Sequence, residues 1–127
     1  CPCVSPKEIG QMLDFFEEGT CDIICNHSDA IGGLGIDGTD IEVFSMDALK
    51  KARDGADDDF DKEHVTPWMY RNLKHSQVAC MWDFDEKLSI DTQKDYELVC
   101  GIFDKLGNDF ETRDIEKYFK EKRNEEV

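Results

Sequence analysis

Lys87-Leu88-Ser89-Ile90-Asp91-Thr92-Gln93-Lys94-Asp95-Tyr96 is the stretch on which the fold turns. Leu88 and Ile90 alternate with Ser89 and Asp91, the period of two of a half-buried strand. Thr92 has the chemistry of a helix N-cap, and Asp95 three residues on completes a Ser/Thr-x-x-acid start signal. Beyond it Tyr96, Val99, Cys100, Phe103 and Leu106 recur at three- and four-residue steps, which gives one apolar helix face. A short strand running straight into a helix predicts an α/β fold. It also holds Asp91 at the carboxyl end of a strand, on the rim where open α/β sheets bind ligands. A carboxylate there suits a divalent cation, magnesium bridging to a phosphate above others. The plainer role for Asp91 is local, as part of the helix cap beside Thr92.

Upstream, Ser5-Pro6-Lys7-Glu8 carries a Ser cap, Pro at the first helical position and Glu three residues after the cap. Ile9, Met12, Leu13 and Phe16 form the expected buried stripe, and Gly19 the stop. Cys21 to Cys25 is an apolar strand, with Cys21, Ile23 and Cys25 on one face. Asn26 to Gly38 is a loop rich in Gly, Asn, Ser and Asp. Its Gly32-Gly33-Leu34-Gly35 lacks the Gly-Lys-Ser/Thr ending of a P-loop and leads into a strand, so helix-dipole phosphate binding does not apply.

Thr39 to Phe44 alternates: Ile41 and Val43 face one way, and Asp40, Glu42 and Phe44 the other. Two carboxylates on one strand face mark either a solvated edge or the floor of a polar site. Ser45 caps a helix from Met46 to Arg53, with Leu49 and Ala52 inward. Asp54 to Asp61 is an acidic linker. Lys62 to Asn72 holds a further helix, starting near Thr66 with Pro67 at its first position. His64 is a hydrogen-bonded structural residue on one reading, a ligand or acid-base group on the other. Val78 to Trp82 is a strand. Downstream, Gly107-Asn108-Asp109 ends the central helix. Thr112 caps a last one with Ile115, Tyr118 and Phe119 inward, and residues 120–127 are a fraying tail.

Composition bounds the function. The 127 residues suffice for one small domain with a core. The net charge of −15 argues against a nucleic-acid partner, because no basic face exists to displace counterions. No apolar run reaches membrane-span length and no signal peptide is visible, so a cytoplasmic protein is expected. Cys1, Cys3, Cys21 and Cys25 do not make a convincing zinc set, since Cys1-Pro2-Cys3 is too tightly spaced. Reduced, buried thiols fit better, Cys80 and Cys100 included. An EF-hand counted from Asp104 fails: the sixth position is Asp109 instead of Gly, and the twelfth is Ile115 instead of Glu.

Several of these pieces, in this order, resemble the sugar-acid cytidylyltransferases. The nearest likeness is to those of spore-coat polysaccharide biosynthesis, cousins of the CMP-Kdo and CMP-sialic acid synthetases. Cys1-Pro2 with Pro6 opening a helix is similar to the segment after the family's first metal-binding Asp. Asp37-Gly38-Thr39-Asp40-Ile41-Glu42-Val43-Phe44-Ser45 resembles a Gly-Leu-Asp-Val-Glu-Val-Phe strand. Glu63-His64-Val65-Thr66-Pro67 resembles a third block, and Lys87 to Thr92 with Asp95 and Tyr96 a fourth, Arg-Leu-Thr-Val-Asp-Thr-Pro-Glu-Asp. The likeness spans about residues 1 to 122, the family's C-terminal part.

What the resemblance implies is a three-layer Rossmann-like nucleotidyltransferase fold with a mixed sheet. Its C-terminal portion occupies residues 1–109, and a terminal helix and tail occupy 110–127. It implies transfer of CMP from CTP to a sugar or sugar acid, with release of pyrophosphate and with Mg2+, for surface polysaccharide biosynthesis. Asp91 becomes the second metal carboxylate. Asp37, Asp40 and Glu42 become a wall of the sugar pocket and His64 a pocket residue. No side chain of this chain is assigned as a catalytic acid or base, because metal charge and positioning matter more in this chemistry. The family's Gly-rich CTP loop and first metal Asp have no counterpart here, so the 127 residues alone are expected to be inactive. A sheet edge left open favours pairing with a second copy as a homodimer, or aggregation. A non-catalytic binding module of the same fold and a metal-binding protein are the alternatives.

Overall fold

The computed structural model describes residues 1–26, 36–78 and 82–127. The Gly32-Gly33-Leu34-Gly35 run, Cys80 and most of the strand expected from Val78 to Trp82 lie outside them. The described elements are α1 (Pro6–Glu18), β1 (Ile23–Cys25), β2 (Glu42–Phe44), α2 (Met46–Gly55) and α3 (Asp59–Glu63). They continue with α4 (Pro67–Asn72), β3 (His75–Gln77), α5 (Gln93–Leu106) and α6 (Thr112–Glu125).

Cap chemistry sets the helix starts. Ser5 Oγ accepts from the Glu8 N–H at 3.3 Å and Ser45 Oγ from the Ala48 N–H at 3.0 Å. Thr92 and Asp95 form a reciprocal capping box: Thr92 Oγ1 accepts from the Asp95 N–H at 3.2 Å, and the Asp95 carboxylate from the Thr92 N–H at 2.9 Å. Gly107, with φ +79°, ends α5 as expected. The last helix differs by one residue. Glu111 is its cap position and Thr112 its first, fully buried, residue. Part of the expected acidic linker is helical, because Asp58 caps α3 through the Asp61 N–H at 2.8 Å.

The sheet is mixed, in the order β2-β1-β3. β1 runs antiparallel to β2, with Ile24 opposite Val43, and parallel to β3, with Ile24 opposite Ser76. Side-chain alternation along β1 divides the packing. Ile24 joins Met12, Ile41, Phe16 and Val43 on the α1 side. Ile23 and Cys25 join Ala48, Ala52, Met69 and Tyr70 on the side of α2 and α4. Cys21 precedes the strand and packs on the α1 side instead. A separate core unites α5 and α6: Val99, Ile102, Ile115 and Phe119 close over Cys3, Ile36, Phe84 and Leu88. Fully burying Ile23, Met69, Leu88, Ile102 or Ile115 contributes roughly 1.5–3 kcal/mol each.

Three further sequence expectations are corrected. Leu88 to Ile90 bends at Ser89 and pairs with no strand among the described residues. The Leu88 N–H is bonded to the Asp37 carbonyl at 2.8 Å, and Leu88 is buried while Ile90 is exposed. The α1 stripe is narrower than expected: Met12 is buried, but Ile9 and Leu13 are exposed beside the open edge of β2. On α5 the buried face centres on Val99 and Ile102, and Tyr96 turns outward.

Candidate functional site

Two turns of chain place the sequence-predicted residues. The first is Ile36 to Thr39. The Thr39 N–H and Oγ1 both donate to the Ile36 carbonyl, at 3.0 and 2.8 Å, and Gly38 takes φ +98°. Glycine suits this position because φ is positive and because Gly38 abuts the Leu88–Ser89 backbone. The turn is clamped from below by Asn26, 3% exposed. Its side-chain NH2 donates to the Thr39 carbonyl at 2.9 Å, and its carbonyl oxygen accepts from the Ile41 N–H at 2.7 Å. The composition of residues 26–38 places Asn26 in a loop. Its position directly after β1 was the available signal.

This turn meets the approach to α5. Besides the Leu88 to Asp37 backbone bond, Ser89 Oγ donates to Asp37 Oδ2 at 3.0 Å. Asp37 and Asp91, 54 positions apart in sequence, are thereby linked through one segment, Leu88 to Asp91.

Lys87 occupies the centre of the second turn. Its Nζ lies 2.6 Å from Asp91 Oδ2, 2.8 Å from Asp95 Oδ2 and 3.2 Å from the Ser89 carbonyl. Hydrogen bonds to Asp91 and Asp95 raise the Lys87 pKa. The Asp95 carboxyl is held well below the usual carboxylate range, by Lys87 first and then by the Asp91 and Thr92 N–H groups. The Asp91 side chain stands 72% exposed at the head of α5. Asp91 is therefore both a neighbour of the cap, as its backbone N–H donates to Asp95 at 3.1 Å, and an outward carboxylate.

Glu42, on β2, turns toward α4. Its Oε2 accepts from the Tyr70 hydroxyl at 2.6 Å and its Oε1 from the Thr66 hydroxyl at 3.4 Å. Burial, and then the Glu42 carboxylate, push the Tyr70 hydroxyl pKa up, so Tyr70 stays a donor. Tyr70 was not singled out in the sequence, where it reads only as one aromatic in a short helix. The Glu63-His64-Val65-Thr66-Pro67 block does reach Glu42, but through Thr66. His64 ends α3 with its ring against Phe60 at 4.6 Å, and its side chain is half exposed. Asp40 is exposed two residues before β2 and, with Glu42, lines the strand edge left unpaired among the described residues. Val4, Ile9 and Leu13 complete a shallow groove there of about 460 Å³.

Among the described residues, no group of three or more His, Cys, Asp or Glu side chains is placed to hold a metal by itself. Asp91 fits a different mode, in which one or two protein carboxylates hold a magnesium ion whose other ligands are phosphate oxygens and water. It is a hard oxygen donor, and it is exposed. The cysteine set offers no such fit: Cys1 is exposed while Cys3 and Cys25 are buried in separate cores.

No protein-family model matches the chain, and no solved structure matches it. Uncharacterized protein MJ1063 of Methanocaldococcus jannaschii is 30% identical over 107 residues, which cover 80% of this chain and 42% of that protein. The chain thus spans less than half the length of this relative.

Proposed function

We propose that these residues form part of a cytoplasmic cytidylyltransferase. It activates a sugar or sugar acid as its CMP derivative from CTP, releases pyrophosphate and serves surface polysaccharide biosynthesis. The observation that carries the reading is the meeting of two distant blocks. The Asp37–Gly38 turn and the Lys87–Thr92 segment are joined by the Leu88–Asp37 and Ser89–Asp37 bonds, with Asp91 outward beside them. Helices on both faces of a mixed sheet support the finer fold assignment, a three-layer Rossmann-like nucleotidyltransferase.

Each residue then has a chemical task. Asp91 would hold magnesium, which when bound supplies positive charge to the phosphate oxygens. Asp37 and Ser89 fix the backbone that carries Asp91. Glu42, anchored by Tyr70 and Thr66, retains acceptor capacity for sugar hydroxyls. Asp40 lines the groove beside Glu42 and would extend the wall, while His64, two residues before Thr66 and packed on Phe60, would lie at its margin. An acceptor-rich wall suits the hydroxyls of a sugar. Catalysis in such a site rests on charge neutralisation and alignment.

The test is pyrophosphate release from CTP with magnesium and a panel of sugar acids, using the full-length gene product that carries these residues. A CMP-linked product that is lost on Asp91→Asn supports the reading. Binding of CTP or CMP without turnover points to a non-catalytic module of the same fold. Neither binding nor turnover across the panel removes the cytidylyltransferase assignment.

A further inference from the structure

We infer that Lys87 is a positioning residue for Asp91, transmitting the rigidity of the α5 cap to the carboxylate that would meet the metal. The inference rests on the metal role proposed for Asp91 and deepens it.

An exposed aspartate on a turn samples several rotamers, and each one moves its oxygens by more than a metal site tolerates. Among the described residues, Lys87 is the side-chain partner that restrains Asp91. Lys87 is itself well seated. Its ammonium has three donors and meets three acceptors: Asp91 Oδ2, Asp95 Oδ2 and the Ser89 carbonyl. Asp95 is the fixed point. It is 16% exposed against 72% for Asp91, and it accepts from the N–H groups of both Asp91 and Thr92. The helix behind it is anchored by buried Val99 and Ile102. The order of dependence is therefore core, cap, Asp95, Lys87, Asp91. An exposed ion pair of this kind contributes little to folding stability. Its value is geometric: Lys87 takes Oδ2 and leaves the second oxygen of Asp91 for another cation.

Positioning and simple electrostatics predict opposite signs, which makes the inference testable. Removing the ammonium adds net negative charge beside Asp91, so by charge alone a cation should bind more tightly. If Lys87 positions Asp91, a cation should bind less tightly despite that added charge.

The probe is Mn2+ with CTP present, titrated into the 15N-labelled full-length gene product, read by paramagnetic broadening of the amides from Ser89 to Gln93. In the unsubstituted chain the broadening should centre on this segment and be lost in Asp91→Asn. Lys87→Met should raise the Mn2+ midpoint about tenfold, as loss of a partner orienting a metal ligand does. Lys87→Arg, which keeps a donor to both carboxylates, should restore most of it. Retained amide dispersion in both variants shows that the fold is intact. An unchanged or lower midpoint in Lys87→Met overturns the positioning role while leaving Asp91 as the metal carboxylate. Broadening that is absent from Ser89 to Gln93, or indifferent to Asp91→Asn, removes the metal role itself, and the inference with it.

Discussion

A Cβ added to Gly38 would overlap both the carbonyl carbon of Leu88 and the amide nitrogen of Ser89. The turn before β2 and the segment before α5 thus touch backbone to backbone. Gly38→Ala must strain a positive φ and also force the two segments apart. We expect a loss of about 1–3 kcal/mol or more in urea unfolding. The Ser89–Asp37 contact should be disrupted as well. A substitution that is neutral in unfolding would show that the two backbones are not in contact.

Asp91 and Thr92 are adjacent, yet their substitutions should separate function from stability. Thr92→Ala removes the cap acceptor for the Asp95 N–H and should cost about 1 kcal/mol of stability. Asp91→Asn keeps size and removes charge. In the full-length gene product it should reduce turnover by orders of magnitude while the melting temperature hardly moves. The reverse pattern, normal turnover with a lower melting temperature, would make Asp91 a cap residue and nothing more. Paired initial rates across a magnesium titration and thermal melts decide this.

Glu8 gives a pH-dependent prediction. Its Oε2 and the Thr112 Oγ1 are buried in the cleft between α1 and the start of α6, near enough for the hydroxyl to favour the carboxylate but without a well-aligned hydrogen bond to any described residue. Lys7, Glu111 and Arg113 line the same cleft. Burial raises the Glu8 pKa, the nearby Thr112 hydroxyl offsets this in part, and Glu111 adds to it. A carboxyl with a raised folded-state pKa costs nothing while protonated in both states. Its cost to stability appears as pH climbs from the usual glutamate value, near 4.3, through the raised one. Glu8→Gln should therefore raise the melting temperature at pH 7, with the gain shrinking toward pH 4. A gain of the same size at both pH values would rule out this linkage.

Tyr70 should keep its proton in alkaline solution, because burial and the Glu42 carboxylate both oppose ionisation. Of the three tyrosines, Tyr70 should contribute nothing to the ultraviolet titration up to about one unit above the usual tyrosine pKa near 10. The Tyr70→Phe curve should overlay the unsubstituted one in that range. The same variant frees Glu42 and, under the proposed function, should raise KM for the sugar more than it lowers kcat.

Local chemistry alone determined a good part of this molecule. Ser5, Ser45, and Thr92 with Asp95 announce helix starts within three residues, because a cap is a contact between near neighbours. Ile41 and Val43 declared the inward face of β2 by alternation, and Ile115 and Phe119 the inward face of α6 by helical spacing. Ranges set by distant partners were not legible. β3 is the polar run His75-Ser76-Gln77, which becomes a strand because β1 supplies its ladder. Leu88 to Ile90 has strand alternation, yet only the tertiary structure decided that its N–H at Leu88 would go to Asp37 and that Ile90 would face out. The candidate site divides the same way. The residue types Asp37, Glu42 and Asp91 are visible in the sequence, but Asn26, Tyr70 and Lys87, which hold or orient them, are not. Their roles depend on bonds that span 15 residues from Asn26 to Ile41 and 28 from Glu42 to Tyr70, or on one ammonium reaching two carboxylates across a non-helical turn. Periodicity records which side of an element faces the core. It does not record which distant segment arrives to meet it, and that is settled only when the chain packs.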